Sequence, residues 1–364
     1  MLLTGSPSPL RSSSPSLLTQ SPVLMAHDAS TAYAEVVKGT ISGTDCYQFK
    51  TQAFAAHAPF MGKAGHMPSG LTSLLDCGAR ALDLRLTKGG PCANKGIGEV
   101  CMHHSILHIE HQSFESELQT VVNWTTRYPS ELVLLKLVPD NDGAPEAIQA
   151  ALAVHNITSV PKCVGHGVDP DTWTLEQART RARIPSGGLL LATWAPSLPD
   201  GQPSKQSCVD DNFVRSIAFD PADAASSFEA LWRYANETVQ RQRRTAKFQE
   251  LQLIWQSART FELYAKAYPW HALDLQPFKY GNLESTQDSS INSQVLARIG
   301  GMQGPSLNLV KLNDICLHGL EIAKSLGTNV TTAQEASCAA ACGGINSRNT
   351  CLKSTERSRE KHDT

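Results

Sequence analysis

Short, nearly continuous apolar runs alternate with amphipathic segments along most of this chain. A run in which almost every residue is apolar is typical of a parallel strand buried on both faces. The strands predicted in this way are Ala53–Ala56, Arg80–Leu86, Met102–Leu107, Glu131–Val138, Leu189–Trp194, Leu251–Gln256 and Leu307–Leu312. Helical spacing of apolar residues is found at Leu71–Cys77, 113–128, Ala144–His155, Leu175–Arg183, Phe228–Phe248, Ile291–Ile299 and Ile315–Leu326. This alternation predicts an α/β fold, either a distorted (β/α) TIM-type barrel or a doubly wound sheet.

The stretch Gly78–Leu86, which reads GARALDLRL, carries two charges inside an apolar strand. Because strand side chains alternate between faces, Asp83 and Arg85 point the same way and Leu84 points the other way. A buried carboxylate and a buried guanidinium cost too much free energy unless they serve each other or a ligand. The stretch by itself therefore leaves two interpretations open, a structural ion pair or part of a binding site.

Further polar side chains fall at or near the carboxyl ends of the neighbouring predicted strands. His57 follows the run Ala53–Ala56, His104 lies in MHHSIL, and Lys136 interrupts the buried run ELVLLKLV. In a (β/α) barrel the carboxyl ends of the strands form the active face. We therefore expect these residues and the two charges of GARALDLRL to meet at one rim. Lys136 would either reach solvent at the strand end or face a ligand anion.

Composition limits the classes of function. The chain has 364 residues, of which 41% are hydrophobic, and this is ample for one large barrel. The formal net charge of -2 offers no electrostatic case for nucleic acid as a partner. No apolar run reaches about 18 residues, so the sequence predicts no transmembrane helix.

Cysteines and glycosylation triplets favour an oxidising, secretory route. The chain has 10 cysteines, and they form no CxxC pair, which argues against a zinc site. Cys92 and Cys101 bracket a Gly-rich loop that we expect a disulfide to close. Asn-x-Thr triplets begin at Asn123, Asn156, Asn236 and Asn329. We therefore predict a secreted glycoprotein with disulfides, although no continuous apolar segment of a signal peptide is evident.

The same composition divides the chain into three parts. Residues 1–40 are rich in Ser and Pro and are predicted to be disordered. Residues 41–327 contain the predicted barrel. Residues 328–364 are rich in Cys, Ser and Thr, and we expect a partly disordered tail in which Cys338, Cys342 and Cys351 are candidates for bridging.

Two histidines and an arginine are a suitable set for cleaving a phosphodiester. One histidine takes a proton from the attacking hydroxyl, and the other gives a proton to the leaving oxygen. The planar guanidinium holds two phosphate oxygens and offsets the charge that builds on them, so no metal is required.

GARALDLRL, then MHHS, then a helix and YPSELVLLKLV resembles the X-domain of phosphatidylinositol-specific phospholipase C. The resemblance is closest to the bacterial-type and X-domain-only branches, and it is strong over Leu71–Val138. It implies a distorted TIM-type barrel that acts as a phosphoric diester hydrolase on phosphatidylinositol or a glycosylphosphatidylinositol. It further implies contact with a membrane surface, and we expect no cofactor, no metal and a monomer.

The resemblance assigns roles to particular residues. His57 would be the base, Arg85 the phosphate clamp, His104 the acid and Asp83 the residue that positions Arg85 or a histidine. His66 competes with His57, and His103 competes with His104. Lys136 and Asp314 would contact the substrate. The chain departs from the family pattern in two places, since Ala58 follows His57 where Asp or Asn is usual, and Asn313 precedes Asp314 at the last strand.

Two alternatives remain open from the sequence. Glycerophosphodiesterases and sphingomyelinase-D-like enzymes share the barrel but use Glu-x-Asp, where this chain has Asp83-x-Arg85, to bind a divalent ion. A guanidinium in that register would repel the ion. The departures at Ala58 and Asn313 also leave open a non-catalytic, secreted lipid- or glycan-binding protein on an inherited barrel.

Overall fold

The computed structural model describes a large part of the chain. The described residues are 17–18, 21–30, 36–41, 44–49, 70–104, 107–159, 173–194, 228–241, 250–253, 292–302, 308–312, 315 and 318–342. For residues 36–41, 44–49, 107–111, 228, 230, 238, 241 and 342, and for His104, the description covers the backbone alone.

Eleven strands lie within the described residues. They are β1 Val23–Ala26, β2 Val36–Ile41, β3 Thr44–Phe49, β4 Ala81–Lys88, β5 Val100–His104, β6 Leu107–Ser113, β7 Leu132–Pro139, β8 Thr158–Ser159, β9 Leu189–Trp194, β10 Glu250–Gln252 and β11 Leu309–Leu312. The helices are α1 Gly70–Asp76, α2 Pro91–Asn94, α3 Phe114–Arg127, α4 Ala144–Val154, α5 Leu175–Ala182, α6 Phe228–Arg241, α7 292–299, α8 Gly319–Ser325 and α9 Thr332–Cys342.

The main sheet joins the last strand of the chain to the first. Its order is β10-β11-β1-β4-β7-β9-β8, and every neighbouring pair in that order is parallel. Parallel strands that follow chain order, with the last one returning to pair with the first, are typical of a (β/α) barrel. The short β8 and the antiparallel β5–β6 hairpin, which pairs with the end of β4, make this α/β barrel irregular.

Alternate residues of each strand face the surrounding helices or the barrel interior. On β4, Leu82, Leu84 and Leu86 pack in the large apolar cluster that includes α1, α3 and α4 side chains. A second, smaller apolar cluster joins inward residues from the amino ends of the strands, such as Met25 and Leu309, to Leu18 and Trp173. Burial of these side chains closes the amino end of the barrel and leaves the carboxyl end for polar groups.

Gly78 turns the chain from α1 into β4. Its φ is 98°, a left-handed value that favours glycine, and a Cβ there would lie 2.6 Å from the Cβ of Ala323 on α8. The glycine at the head of GARALDLRL thus permits both the turn and the close approach of α8.

The barrel begins earlier and ends later than the sequence predicts. β1 lies inside the segment 1–40 predicted to be disordered, and it pairs with both β11 and β4. The strand beside β4 is therefore Val23–Ala26, where the prediction had Ala53–Ala56, a run outside the described residues. The expected tail contains α9, which a disulfide between Cys77 and Cys338 joins to α1. Ser337 also donates a 2.5 Å hydrogen bond to Asp76.

Two further expectations about this fold can be compared with the structure. The disulfide between Cys92 and Cys101 is present, as predicted, with an S–S distance of 1.96 Å. The described helices are all too short or too polar to cross a bilayer. The two disulfides are compatible with an oxidising compartment.

Candidate active site

The carboxyl half of the barrel interior carries a layer of buried charges. Register places Asp83 of β4 beside Lys136 of β7, and Gln252 of β10 beside Lys311 of β11. Each of these side chains occupies an inward position in a strand whose other face is apolar. The alternation that buries leucines under the helices therefore also aims these charges at one another.

Three of these residues, Asp83, Lys136 and Lys311, form a closed ring of charges with Glu250 of β10. The ammonium of Lys311 lies 2.6 Å from Asp83 Oδ2 and 2.9 Å from Glu250 Oε1. The ammonium of Lys136 lies 3.4 Å from Asp83 Oδ1 and 2.5 Å from Glu250 Oε2. All four side chains are buried, and Gln252 adds a hydrogen bond to Glu250 of 2.7 Å. Each charge is paired twice, which offsets the high cost of removing it from water.

The ring keeps its carboxylates ionised. Burial by itself raises the pKa of Glu250, but Lys136 and Lys311 outweigh burial and lower it to about 2. Burial also opposes ionisation of Asp83, and the same two lysines hold the pKa of Asp83 far below its usual range. The pKa of Lys311 is raised despite its burial, because Asp83 and Glu250 surround it.

Arg85 stands next to the ring and is held by the turn that follows β1. Its Nε donates a 2.9 Å hydrogen bond to Asp28 Oδ1, and its Nη2 lies 3.6 Å from Asp83 Oδ2. Ser30 fixes the backbone of Arg85, since its hydroxyl accepts from the Arg85 N–H at 2.7 Å and donates to the Arg85 carbonyl at 3.0 Å. The Arg85 side chain is 31% exposed, whereas every ring side chain is buried. Arg85 thus presents a positive edge toward the mouth.

His27 is the first residue after β1 and lies in the same cluster. Its Nε2 is 3.2 Å from Asp28 Oδ2, and its side chain is 5% exposed. Two successive strand residues would point to opposite faces, but Asp28 has a φ of 45°, so the chain turns and both side chains face the cluster. Burial lowers the pKa of His27 to about 3; Asp28 opposes this shift and Lys311 adds to it. His27 is therefore a neutral imidazole at neutral pH.

The whole cluster is balanced in charge. Asp28, Asp83 and Glu250 oppose Arg85, Lys136 and Lys311, and His27 is neutral. His27, Asp28 and Asp83 each offer one metal-ligand atom, and these three atoms lie within 4.8 Å of one another, a spacing that could hold a cation. However, both carboxylates are already paired with ammonium or guanidinium groups, and these would repel a divalent ion.

A contrasting arginine lies at the amino end of the same strand. Arg80 donates to Glu131 at 2.8 Å and to the carbonyls of Leu75 and Ala79 at 2.8 and 2.9 Å. Its guanidinium also lies 5.1 Å from the centre of the Trp124 ring. Arg80 is 3% exposed. Arg80 therefore serves the fold, whereas Arg85 retains an edge that a ligand can reach.

The residues predicted from the sequence are partly brought together here. Asp83, Arg85 and Lys136 lie in the cluster, although the Lys136 ammonium is paired with two buried carboxylates. His57 and Asp314 lie outside the described residues, as do His66, Ala58 and Asn313. Their roles remain predictions.

The two candidate acids lie on the hairpin, and its direction differs from the expectation. β5 runs antiparallel to β4, with Leu86 opposite Met102, so it returns from the loop 89–99 toward the barrel. His104 ends β5, and only its backbone is described. His103 is buried, with its Nε2 3.5 Å from Asp140 Oδ2. The expectation that His104 ends a barrel strand was wrong, because β5 lies off the parallel order.

Sequence reasoning missed His27, Asp28, Glu250 and Lys311. The signal for the first pair was present in VLMAHD, a short apolar run that ends in His-Asp, but it follows a Ser/Pro-rich stretch. Lys311 interrupts the apolar strand LVKL in the same manner as Lys136 interrupts LVLLKLV. Glu250 opens a strand of three residues, and no local pattern marks it as interior.

Among known proteins, similarity to this chain is found only in the comparison with solved structures. No family model matches the chain, and no curated protein matches its sequence. It is similar to the phosphatidylinositol-specific phospholipase C of Listeria monocytogenes, with 13% identity and a TM-score of 0.44 over 85% of this chain and 94% of that chain. It is also similar to a mutant of the Staphylococcus aureus phosphatidylinositol-specific phospholipase C, with 12% identity and a TM-score of 0.47 over 87% and 94% of the two chains. Because identities and TM-scores are low, the α/β barrel is assigned from its own strand order, and no residue role is taken from these enzymes.

Proposed function

We propose that this chain is a phosphodiesterase that cleaves a phospholipid such as phosphatidylinositol or a glycosylphosphatidylinositol without a metal ion. The observation that carries the proposal is the pairing of Arg85 with Asp28 beside a neutral His27. Arg85 is a cation with an accessible edge at the mouth, and a base lies next to it. A phosphate ester held by that edge would come within reach of the imidazole.

In this proposal His27 takes the role that the sequence alone gave to His57. His27 is followed by Asp28, the residue type that the family pattern places after its first histidine and that His57 lacks. Its position directly after the first parallel strand also agrees with that pattern. The departure at Ala58, which had favoured a non-catalytic protein, then loses its weight.

The proposed reaction needs two proton transfers, one from the attacking hydroxyl and one to the leaving oxygen. His27 removes the proton of the inositol 2-hydroxyl, and that oxygen attacks phosphorus. The bond between phosphorus and the glycerol oxygen breaks, and His104 protonates the leaving oxygen. The products are a cyclic inositol phosphate and a diacylglycerol, and Arg85 offsets the charge that builds on the phosphate oxygens.

The low pKa of His27 fits this role once the substrate is considered. In the free protein, burial keeps the pKa of His27 near 3, so the base is neutral and ready to accept a proton. A bound phosphate diester brings a negative charge next to the imidazole. An opposite charge favours the protonated form and so raises the pKa toward the working range. A bound phosphate diester adds one negative charge to a balanced cluster, and the proton that His27 takes up offsets that charge.

A pair of alanine variants tests the proposal. Phosphatidylinositol vesicles would be assayed for release of cyclic inositol phosphate, with glycerophosphodiester and sphingomyelin substrates alongside, each with and without EDTA. We expect turnover of the inositol lipid that EDTA does not reduce, loss of turnover in His27→Ala, and near wild-type turnover in His57→Ala. EDTA-sensitive turnover, or loss in His57→Ala with activity kept in His27→Ala, would refute the proposed mechanism.

A further inference from the structure

We propose that Asn123, Asn156 and Asn329 carry N-linked glycans, and that these glycans are confined to the side of the barrel away from its mouth. Each asparagine begins an Asn-x-Thr triplet, the acceptor sequence for this modification. The two disulfides are compatible with the oxidising compartment in which such triplets are modified.

All three asparagines are accessible in the folded chain. Asn123 lies on α3, Asn156 follows the end of α4, and Asn329 lies between α8 and α9; each is exposed. Asn156 has a φ of 53°, which marks a turn that projects from the end of the helix. Because the glycan is added to the nascent chain, only the asparagine itself must remain exposed afterwards. Asn236 on α6 is half-buried, and we leave it out of the set.

Topology determines where these positions lie. In a (β/α) barrel each helix runs back against its strand, so the carboxyl ends of helices lie at the amino end of the barrel. Asn156 comes two residues after α4 ends at Val154, and Asn329 comes four residues after α8 ends at Ser325. Asn123 lies in the last half of α3. The buried charge cluster lies on the other side of the inner apolar cluster, toward the carboxyl ends of the strands.

The described connections at the mouth contain no such triplet. These are residues 27–30 after β1, 89–99 between β4 and β5, and 140–143 after β7. The disulfide between Cys92 and Cys101 holds the longest of them, and its Ile97 is 38% exposed. Glycans are bulky and hydrophilic, so their absence leaves this rim able to approach a flat surface.

The position of the glycans adds to the proposed function, and rests on it, by indicating which end of the barrel faces the bilayer. A phospholipid head group is presented at the surface of a bilayer, and an enzyme that takes it must bring its mouth to that surface. Glycans at the amino end of the barrel would project away from the bilayer. They would therefore leave access to the lipid unobstructed.

The first test locates the glycans and does not depend on activity. The full chain would be secreted from a eukaryotic host and treated with peptide N-glycosidase in ¹⁸O-water, which labels each released asparagine as aspartate. We expect the label at Asn123, Asn156 and Asn329 by peptide mass spectrometry. A secreted protein without label at these positions would overturn the assignment, whatever its activity.

The second test examines the orientation by adding a glycan at the mouth. The double substitution Lys95→Asn with Ile97→Thr creates a triplet in the loop 89–99 without touching the charge cluster. We expect at least a tenfold loss of sedimentation with vesicles of phosphatidylcholine and phosphatidylinositol when this variant is glycosylated. Removal of the natural glycans from the wild type should leave sedimentation unchanged. The same double variant made in bacteria, without glycans, is the control for the substitutions themselves.

The outcomes separate the two proposals. If the glycosylated double variant sediments as well as the bacterial one, the mouth does not face the bilayer and the orientation is wrong. If sedimentation behaves as expected but no substrate is turned over, the proposed function fails while the glycan positions and the orientation stand.

Discussion

Arg85 Nε lies 2.9 Å from Asp28 Oδ1, although 57 residues separate them in the chain. Burial lowers the pKa of Arg85, but Asp28 and Asp83 outweigh burial and raise it above its ordinary value. The guanidinium is therefore a permanent cation held from the β1 side, with its Nη2 3.6 Å from Asp83 Oδ2. This relationship determines which edge of Arg85 is available to a phosphate.

We expect Asp28→Asn to misplace Arg85 and to lower kcat/KM by about 10²-fold, since small displacements of a positioning group have effects of that size. Loss of the Asp28 carboxylate also removes the closer of the two carboxylates that pair with the guanidinium, so we expect a destabilisation of roughly 3 kcal/mol. Vesicle assays and urea unfolding would measure the two effects. Asp142→Asn, at an exposed position, is the matched control. Wild-type kcat/KM in Asp28→Asn would show that Asp28 does not position Arg85.

Arg85→Lys keeps the charge but removes the planar fork. We expect kcat to fall by about 10²–10³-fold, because a lysine cannot hold two phosphate oxygens and Asp28 together. The melting temperature should stay near that of the wild type, since the cluster remains balanced. Arg127→Lys, exposed at the end of α3, tests the same substitution outside the site. An increase in KM alone, with kcat unchanged, would contradict a role for Arg85 that is specific to the transition state.

Much of this barrel was predicted from the sequence, because strands, helix ends and short-range disulfides depend on residues that are close together in the chain. The strand Leu189–Trp194 was predicted to the residue from its apolar run. The helical spacing over 113–128 is confirmed by α3, which Ser113 caps with a hydroxyl that accepts from the Ser116 N–H at 3.2 Å. The disulfide of the loop 89–99 joins cysteines only 9 residues apart. Asp83 and Arg85 share a face, as the alternation along a strand requires.

The partners of these charges could not be predicted, because they come from distant parts of the chain. Lys136 and Glu250 are 114 residues apart, and Lys311 and Glu250 are 61 apart. A single lysine in an apolar strand indicates an unusual environment but not the carboxylate that stabilises it. β1 has only four residues after a Ser/Pro-rich stretch, so its pairing with β4 and β11 is what identifies it as a strand.

The buried ring predicts a compensating pair of substitutions. Lys311→Met leaves Asp83 and Glu250 with one ammonium between them, and we expect a loss of roughly 3–5 kcal/mol in unfolding free energy. Adding Glu250→Gln removes the excess negative charge, so the double variant should recover a substantial part of that loss. Urea unfolding of the wild type, both single variants and the double variant measures the coupling. Additive effects of the two substitutions would show that Lys311 and Glu250 do not interact.

His27 predicts an acid-dependent loss of stability that begins above pH 6. Its folded pKa of about 3 lies below its ordinary value of 6.5, so an unfolded chain takes up a proton that the folded chain refuses. Stability from this residue is therefore complete above about pH 6.5 and is lost as the pH falls toward 3. The slope approaches about 1.4 kcal/mol per pH unit. Glu250 and Asp83, whose folded pKa values are also lowered, contribute only as the pH falls below their ordinary values of 4.5 and 3.8.

The window between pH 6.5 and 4.5 therefore isolates His27 from the ring carboxylates. Urea unfolding at pH 6.5, 5.5 and 4.5 should show a slope that is shallower in His27→Gln than in the wild type, by a difference that approaches about 1.4 kcal/mol per pH unit toward pH 4.5. The comparison uses a difference between two proteins, so other titrating groups cancel. Parallel slopes would mean that the folded protein does not lower the pKa of His27, and the buried, neutral imidazole on which the proposed base depends would be absent.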